Sequence, residues 1–232
     1  MNITAPLVWI DCEMTGLDPL HDTIIEIACV VTDGNLNVLE QGEDIVIHQP
    51  AAVMDAMGEW CQYQHGKSGL TQSVLKSTTT MADAEAAVLA LVKRHCRHPR
   101  SAVLAGNSVH ADRAFLSRYM PELTDFLHYR IVDVSSIKEL ARRWNPEVLS
   151  QVPPKQERHR ALDDILESIA ELRFYKQHLF ASSSTSSPMW GRLWLQIVDM
   201  LQGGGLGIIV WFIVFRFLMA VLFTIPSSFS HQ

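Results

Sequence analysis

The stretch LVWIDCEMTGLD, residues 7–18, opens on four apolar residues and then sets two carboxylates, Asp11 and Glu13, on either side of Cys12. Leu7–Asp11 reads as a β-strand with the Asp11-Cys12-Glu13 triplet at its end. Alternate strand residues point to one face, so Asp11 and Glu13 project together while Cys12 turns the other way. Two adjacent carboxylates repel unless a cation lies between them. Hard divalent ions such as Mg²⁺ or Mn²⁺ prefer oxygen ligands, which makes this pair a natural half-site. A solvated strand end has the same pattern, so the reading needs partners from elsewhere in the chain.

Working outward, apolar runs rich in β-branched residues at Ile24–Thr32, Val38–Ile47, Ala102–Asn107 and Tyr129–Val134 read as four further strands. Ala82–Cys96 carries apolar positions at helical spacing and opens on Thr80-x-x-Asp83, the form of a capping box. Ser135–Trp144 and Ala161–Phe180 are amphipathic in the same way. Three strands followed by helices alternating with two more strands predict an α/β protein with a mixed central five-stranded sheet flanked by helices.

The chain has 232 residues, of which 48% are hydrophobic, enough for one sizeable core plus an appendage. Lys and Arg number 19 against 25 Asp and Glu, a net charge of -6, which excludes an overall cationic surface for long duplexes. Local basic patches are left to capture one or two phosphates. Cys12, Cys29, Cys61 and Cys96 have neither C-x-x-C spacing nor a disulfide pattern, so packing in a reducing compartment is expected. The amino terminus runs into strand-like sequence without a targeting pattern, and cytoplasmic residence is the expectation.

Composition changes near residue 181. Residues 181–205 form a Ser- and Gly-containing linker with a short amphipathic segment, 206–225 are apolar, and 226–232 end the chain in polar residues. A helix of 20 residues is about 30 Å long, the thickness of a bilayer core. Segment 206–225 is therefore a candidate transmembrane helix that would associate the chain with an organelle membrane. Arg216 inside it, Gly203-Gly204-Gly205 beside it and the lack of a basic cluster weaken the anchor, and a gene-model or splice artefact stands beside it as an equal alternative.

Asp112 follows the strand-like Ala102–Asn107, where α/β proteins commonly build sites, although a first-turn Asp facing a helix dipole has the same appearance. His159 precedes Asp163 and Asp164. Residues i and i+5 of a helix lie about 140° apart, so His159 shares a site with Asp164 only if it precedes the helix; a helical His159 favours Asp163. Spacing alone leaves both open.

Asp11-x-Glu13 in LVWIDCEMTGLD, Asp112 in AGNSVHADRAFL and His159-x-x-x-x-Asp164 in HRALDDILESI resemble, in order, the three motifs of the DEDDh exonuclease superfamily. More narrowly, EWCQYQHGKSGLT, LAGNSVH, YMPEL and LHYRIVDVSSIKELARRW are similar to the oligoribonucleases, over residues 5 to 180. The resemblance implies a ribonuclease-H-like exonuclease domain over 1–180 and a homodimer with shared active sites. It also implies two divalent ions, Mg²⁺ or Mn²⁺, and 3′→5′ hydrolysis of diribonucleotides and other short single-stranded RNA to 5′-mononucleotides.

It assigns Asp11, Glu13, Asp112 and Asp164 to the ions, choosing Asp164 over Asp163, and His159 to the general base. It assigns Leu17 and Trp60 to the bases, with His65 close by. Tyr129 is then lent by one subunit to the other's site, while Arg130, Ser135 and Ser136 help Ser108 of the partner chain bind the 5′-phosphate. The rival reading is a related exonuclease acting on DNA or structured RNA 3′ ends, against which the low positive charge argues; mitochondrial residence is an alternative to the cytosol.

Overall fold

The computed structural model describes residues 6–153 and 160–180, all within the unit Met1–Ala181. His159 and segments 181–205, 206–225 and 226–232 lie outside the described residues. No helix among those described is long and apolar enough to cross a membrane.

Strand β1 runs from Leu7 to Met14, three residues beyond the expected end. Its pairing with β2 (Ile24–Thr32) is antiparallel along the whole length, with Asp11 opposite Ala28 and Glu13 opposite Glu26. Both carboxylates therefore belong to a paired strand, which holds their backbone rigidly. The expected third strand divides into β3 (Val38–Gln41) and β4 (Ile45–Val46), and both halves pair with β2. Gly42 marks the break. Its N–H donates to the Cys29 carbonyl at 2.9 Å, and a Cβ there would stand 2.9 Å from that same oxygen, too close for any side chain.

Three short helices follow: α1 (Ala51–Asp55), α2 (Glu59–Lys67) and α3 (Leu70–Lys76). Helix α4 (Met81–His95) starts at the expected capping box, Thr80 accepting from Asp83 N–H while the Asp83 side chain accepts from Thr80 N–H. The remaining elements are β5 (Val103–Gly106), α5 (His110–Tyr119), α6 (Pro121–Phe126), β6 (His128–Asp133), α7 (Val134–Trp144), α8 (Pro146–Leu149) and α9 (Ala161–His178).

The sheet order is β3-β2-β1-β5-β6 with β4 also on β2; β1, β5 and β6 are parallel, and β2 is antiparallel to β1. This is the expected mixed five-strand plan with its third strand broken. Residue parity on β1 sorts the two cores. Val8, Ile10 and Cys12 pack with α4, α5 and α6 residues such as Val88, Phe115 and Leu123, whereas Trp9 packs with Ile165, Ile169 and Tyr175 of α9. Asp11 and Glu13 share the parity of Trp9, so they face α9. The four cysteines are free thiols, and Cys12, Cys29 and Cys96 are buried.

Candidate active site

Helix α9 begins at Ala161, two positions after His159 in sequence, and its first turn carries Asp163 and Asp164. Asp164 is the one that meets β1: single oxygens of Asp11, Glu13 and Asp164 lie within 4.8 Å of one another. The helix starts after His159 in sequence, so the helical i, i+5 spacing does not apply to His159 and Asp164. Asp112, on the first turn of α5, is 5% exposed and accepts the Cys12 N–H through Oδ1 at 2.9 Å. It stands beside the trio rather than within it, and after burial its charge is the largest influence on Asp11.

Burial pushes Asp11, Glu13 and Asp112 toward the protonated form, and repulsion from neighbouring carboxylates adds to it at Asp11 and Glu13. Asp11 is raised well above the ordinary range by burial and then by Asp112, Glu13 and Asp164. Burial, then Asp164, raises Glu13 from 4.5 to about 8. Burial raises Asp112 from 3.8 to about 7, against the lowering effect of the Cys12 N–H. A set of oxygen donors that resists ionisation without a cation is the donor chemistry that suits Mg²⁺ or Mn²⁺.

The sign of the pH dependence follows. Between the ordinary and the raised pKa values the folded, metal-free chain holds protons that the unfolded chain has released, so its stability falls as pH rises. Carboxylates held low, such as Glu40 gripped by Arg94 and His95, are ionised in both states across that window and add no slope. We expect the metal-free chain to melt at a higher temperature at about pH 5 than at about pH 8, with Mg²⁺ recovering stability at the higher pH. Thermal denaturation followed by circular dichroism checks this; a melting temperature that rises over the interval contradicts it.

The loop after β1 presents Leu17, which is 85% exposed. Asp22 organises that loop. Its carboxylate accepts from the Thr15 hydroxyl and the Asp18 N–H, both at 3.0 Å, and lies where a Cβ on Gly16 would collide with it at 2.3 Å. Only glycine lets the chain pass so close to Asp22. Trp60 on α2 is 65% exposed, so neither Leu17 nor Trp60 is a core residue. His65, expected close to the bases, is buried next to Glu13. Its Nε2 donates to the Met14 carbonyl at 2.9 Å, and its Nδ1 stands 3.9 Å from Glu13 Oε2.

The 5′-phosphate set divides differently from the expectation. Ser108 and Ser135, assigned to opposite subunits, touch within one chain: Ser108 N–H donates to Ser135 Oγ at 2.8 Å, and the two hydroxyls are 3.1 Å apart. The reason is topological, since β5 and β6 are adjacent parallel strands whose carboxyl ends emerge side by side. Ser108 adopts a left-handed φ of 51°, and its N–H also reaches Asp133 Oδ1 at 3.0 Å. From Ser135 a relay of hydrogen bonds runs through Asn107 and Ser168 to the carbonyl of Asp164. Ser136 is exposed on the first turn of α7.

Tyr129 and Arg130 lie at the other end of β6, exposed, with the guanidinium 5.5 Å from the tyrosine ring centre. The register shifts between Val103, level with His128, and Leu104, level with Ile131 and Val8, so Tyr129 falls between those two levels and Asp11 lies three residues beyond the second. That is about 12 Å along the strands and about 10 Å across two of them. Tyr129 is out of reach of the carboxylates of its own chain.

The profile of the family described as exonuclease, RNase T, matches residues 8–172. The mitochondrial oligoribonuclease of Homo sapiens is 52% identical over 179 residues, 77% of this chain and 75% of the relative. The chain belongs to the oligoribonucleases of the RNase T exonuclease family. An oligoribonuclease of Marinobacter nauticus is 52% identical over 174 residues, covering 75% of this chain and 96% of the relative. Among solved structures, exonuclease I from Methylocaldum szegediense superposes with a TM-score of 0.57 at 18% identity, over 76% of this chain and 41% of that one. This last likeness concerns the fold alone, which is ribonuclease-H-like.

The residues that sequence reasoning missed are Asp22, Asn107, Asp133 and, nearest the carboxylates, Glu26. Glu26 carried a signal: it is the one charged residue in the otherwise apolar run IIEIACVVT and is fully buried.

Proposed function

We propose that this enzyme hydrolyses diribonucleotides and other short single-stranded RNA from the 3′ end to 5′-mononucleotides, with Asp11, Glu13, Asp112 and Asp164 holding two divalent ions, Mg²⁺ or Mn²⁺. The observation that carries the reading is the convergence of Asp11, Glu13 and Asp164 on one face of the sheet, with Asp112 beside them. When bound, such ions stabilise the charge on the attacking and leaving oxygens of phosphodiester cleavage.

The remaining roles belong to the chain. His159 takes the proton of the attacking water as its oxygen bonds to phosphorus and the bond to the 3′ oxygen of the preceding nucleotide breaks. The departing oxygen ends as a hydroxyl, and the phosphate stays on the released 5′-mononucleotide. Leu17 and Trp60 grip the bases from two exposed positions. Stacking accepts every base, contributing about 1–3 kcal/mol each, which suits a nuclease of any short RNA. His65, turned toward Glu13, acts on the orientation of that carboxylate more than on a base. Ser108, Ser135 and Ser136 offer hydroxyl and N–H groups for the 5′-phosphate from the same chain.

Tyr129 and Arg130, too distant from their own carboxylates, serve the site of a second subunit in a homodimer, where the Arg130 fork meets phosphate oxygens. Mixing a Tyr129→Ala, Arg130→Ala subunit with a His159→Ala subunit is expected to yield more activity than either alone, since hybrid dimers hold one intact composite site. Heterodimers with no recovery speak against sharing. For the substrate itself, the expected order of turnover is diribonucleotide before a twenty-nucleotide RNA; a faster rate on the long RNA or on DNA supports the rival exonuclease reading.

A further inference from the structure

The amino end of α9 poses a hydrogen-bonding problem. Its N-cap residue is Arg160, whose guanidinium has no acceptor atom, so the first-turn N–H groups need acceptors from elsewhere. They find them far away in sequence. Ala161 N–H donates to Glu26 Oε2 at 3.3 Å, from the middle of β2, and Leu162 N–H donates to Asp44 Oδ1 at 2.9 Å, from the loop between β3 and β4.

Arg160 then closes on the same two carboxylates. Its Nε lies 3.1 and 3.2 Å from the two Glu26 oxygens, its Nη2 donates to Oε1 at 2.7 Å, and Nη2 stands 3.7 Å from Asp44 Oδ2. A fully buried carboxylate needs both a counter-charge and hydrogen bonds, and Glu26 receives a forked guanidinium and a backbone N–H. Negative charge at this helix end also opposes the positive end of the helix dipole.

The clamp lies next to the chemistry. Glu26 is the cross-strand partner of Glu13, so the group that grips α9 is fixed to the strand pair carrying Asp11 and Glu13. The Arg160 carbonyl accepts the Asp164 N–H at 3.0 Å, which puts Asp164 one backbone bond from the clamp.

We propose that Glu26 and Asp44 are positioning residues for the reaction: together with Arg160 they cap α9 from outside the helix and set Asp164 at the distance from Asp11 and Glu13 that a divalent ion requires. The inference rests on the reading of Asp164 as an ion-holding carboxylate. It assigns Glu26, by charge a fifth carboxylate beside the cluster, to Arg160 and not to the ions.

The test compares Glu26→Gln, Arg160→Lys and Asp44→Asn in the full chain, at a temperature where circular dichroism shows each folded. Three quantities are read: Mn²⁺ affinity of the metal-free protein by titration calorimetry, and kcat and KM on a diribonucleotide. Supporting residues of metal sites typically change affinity or activity by about 10–100-fold, and Glu26→Gln and Arg160→Lys are expected to weaken Mn²⁺ binding and lower kcat within that range with KM little changed. Asp44→Asn, which disturbs one N–H at a partly exposed position, acts in the same direction but by less.

A purely structural role would lower the melting temperature alone. Folded Arg160→Lys and Asp44→Asn proteins with the parent's Mn²⁺ affinity and kcat overturn the proposal, even if Glu26→Gln does not fold. Asp164→Asn run in parallel separates the two levels. If it too keeps the parent's affinity, the ion-binding reading is wrong; if it alone is defective, only the positioning is.

Discussion

Replacing Asp164 with Asn is expected to abolish turnover of a diribonucleotide while leaving the metal-free protein at least as stable as the parent at about pH 8. The two signs are opposite for one reason. Asp11, Glu13 and Asp164 bring oxygens within 4.8 Å of one another in a largely buried place, and Asp164 is the largest charge raising Glu13. An amide of the same shape removes one repelling charge, which relieves the empty cluster, but it also removes an anionic oxygen that an ion needs. Each kcal/mol of repulsion relieved raises the melting temperature by about 2–4 °C in a protein of this size. Asp11→Asn is expected to behave in the same way, since it stands in the same trio and feels Asp112 as well. Kinetics on the purified variants, beside a thermal melt in the presence of a chelator, check both signs. Normal turnover in either variant contradicts the ion assignment.

The second large effect is expected at His159, where Ala lowers kcat by about 10²–10⁴-fold, the usual contribution of a positioned general base. Arg160, the next residue in sequence, is held at the start of α9 by Glu26 and Asp44. A residue that moves a proton leaves binding intact. Mn²⁺ affinity and KM are therefore expected to stay close to the parent's. Weakened Mn²⁺ binding together with lost activity would instead make His159 a structural neighbour of the ion site.

Much of the fold was legible because buried strands advertise themselves. IIEIACVVT and LVWI are too rich in β-branched and apolar residues to be read otherwise, and the Thr80–Asp83 capping box marked the start of α4. Helices α1 to α3 were not legible. EWCQYQHGK has no apolar stripe, because α2 buries little beyond His65 and leaves Trp60 and Tyr63 exposed. The break at Gly42 was hidden for another reason: a close backbone approach depends on the neighbouring strand, which local sequence does not contain.

In the site, the parity of Asp11 and Glu13 followed from strand geometry, but the choice between Asp163 and Asp164 depends on where α9 starts. That start is fixed by Glu26 and Asp44, more than a hundred residues away. The assignment of Ser108 and Ser135 to different subunits failed because motif order says nothing about which strand ends are neighbours. Sheet order does: β5 beside β6 joins the two serines and leaves Tyr129 at the opposite end of its strand.

The claim on which the rest depends is that divalent cations occupy the space among Asp11, Glu13 and Asp164. The direct measurement is a calorimetric Mn²⁺ titration of the chelator-stripped wild-type chain and of Asp164→Asn, with diribonucleotide turnover recorded on the same samples at each step. Saturable binding that restores cleavage in the wild type, and is weakened or lost in the variant, is the predicted result. Cleavage by the stripped chain before any metal is added, or identical titrations of the two proteins, would contradict it.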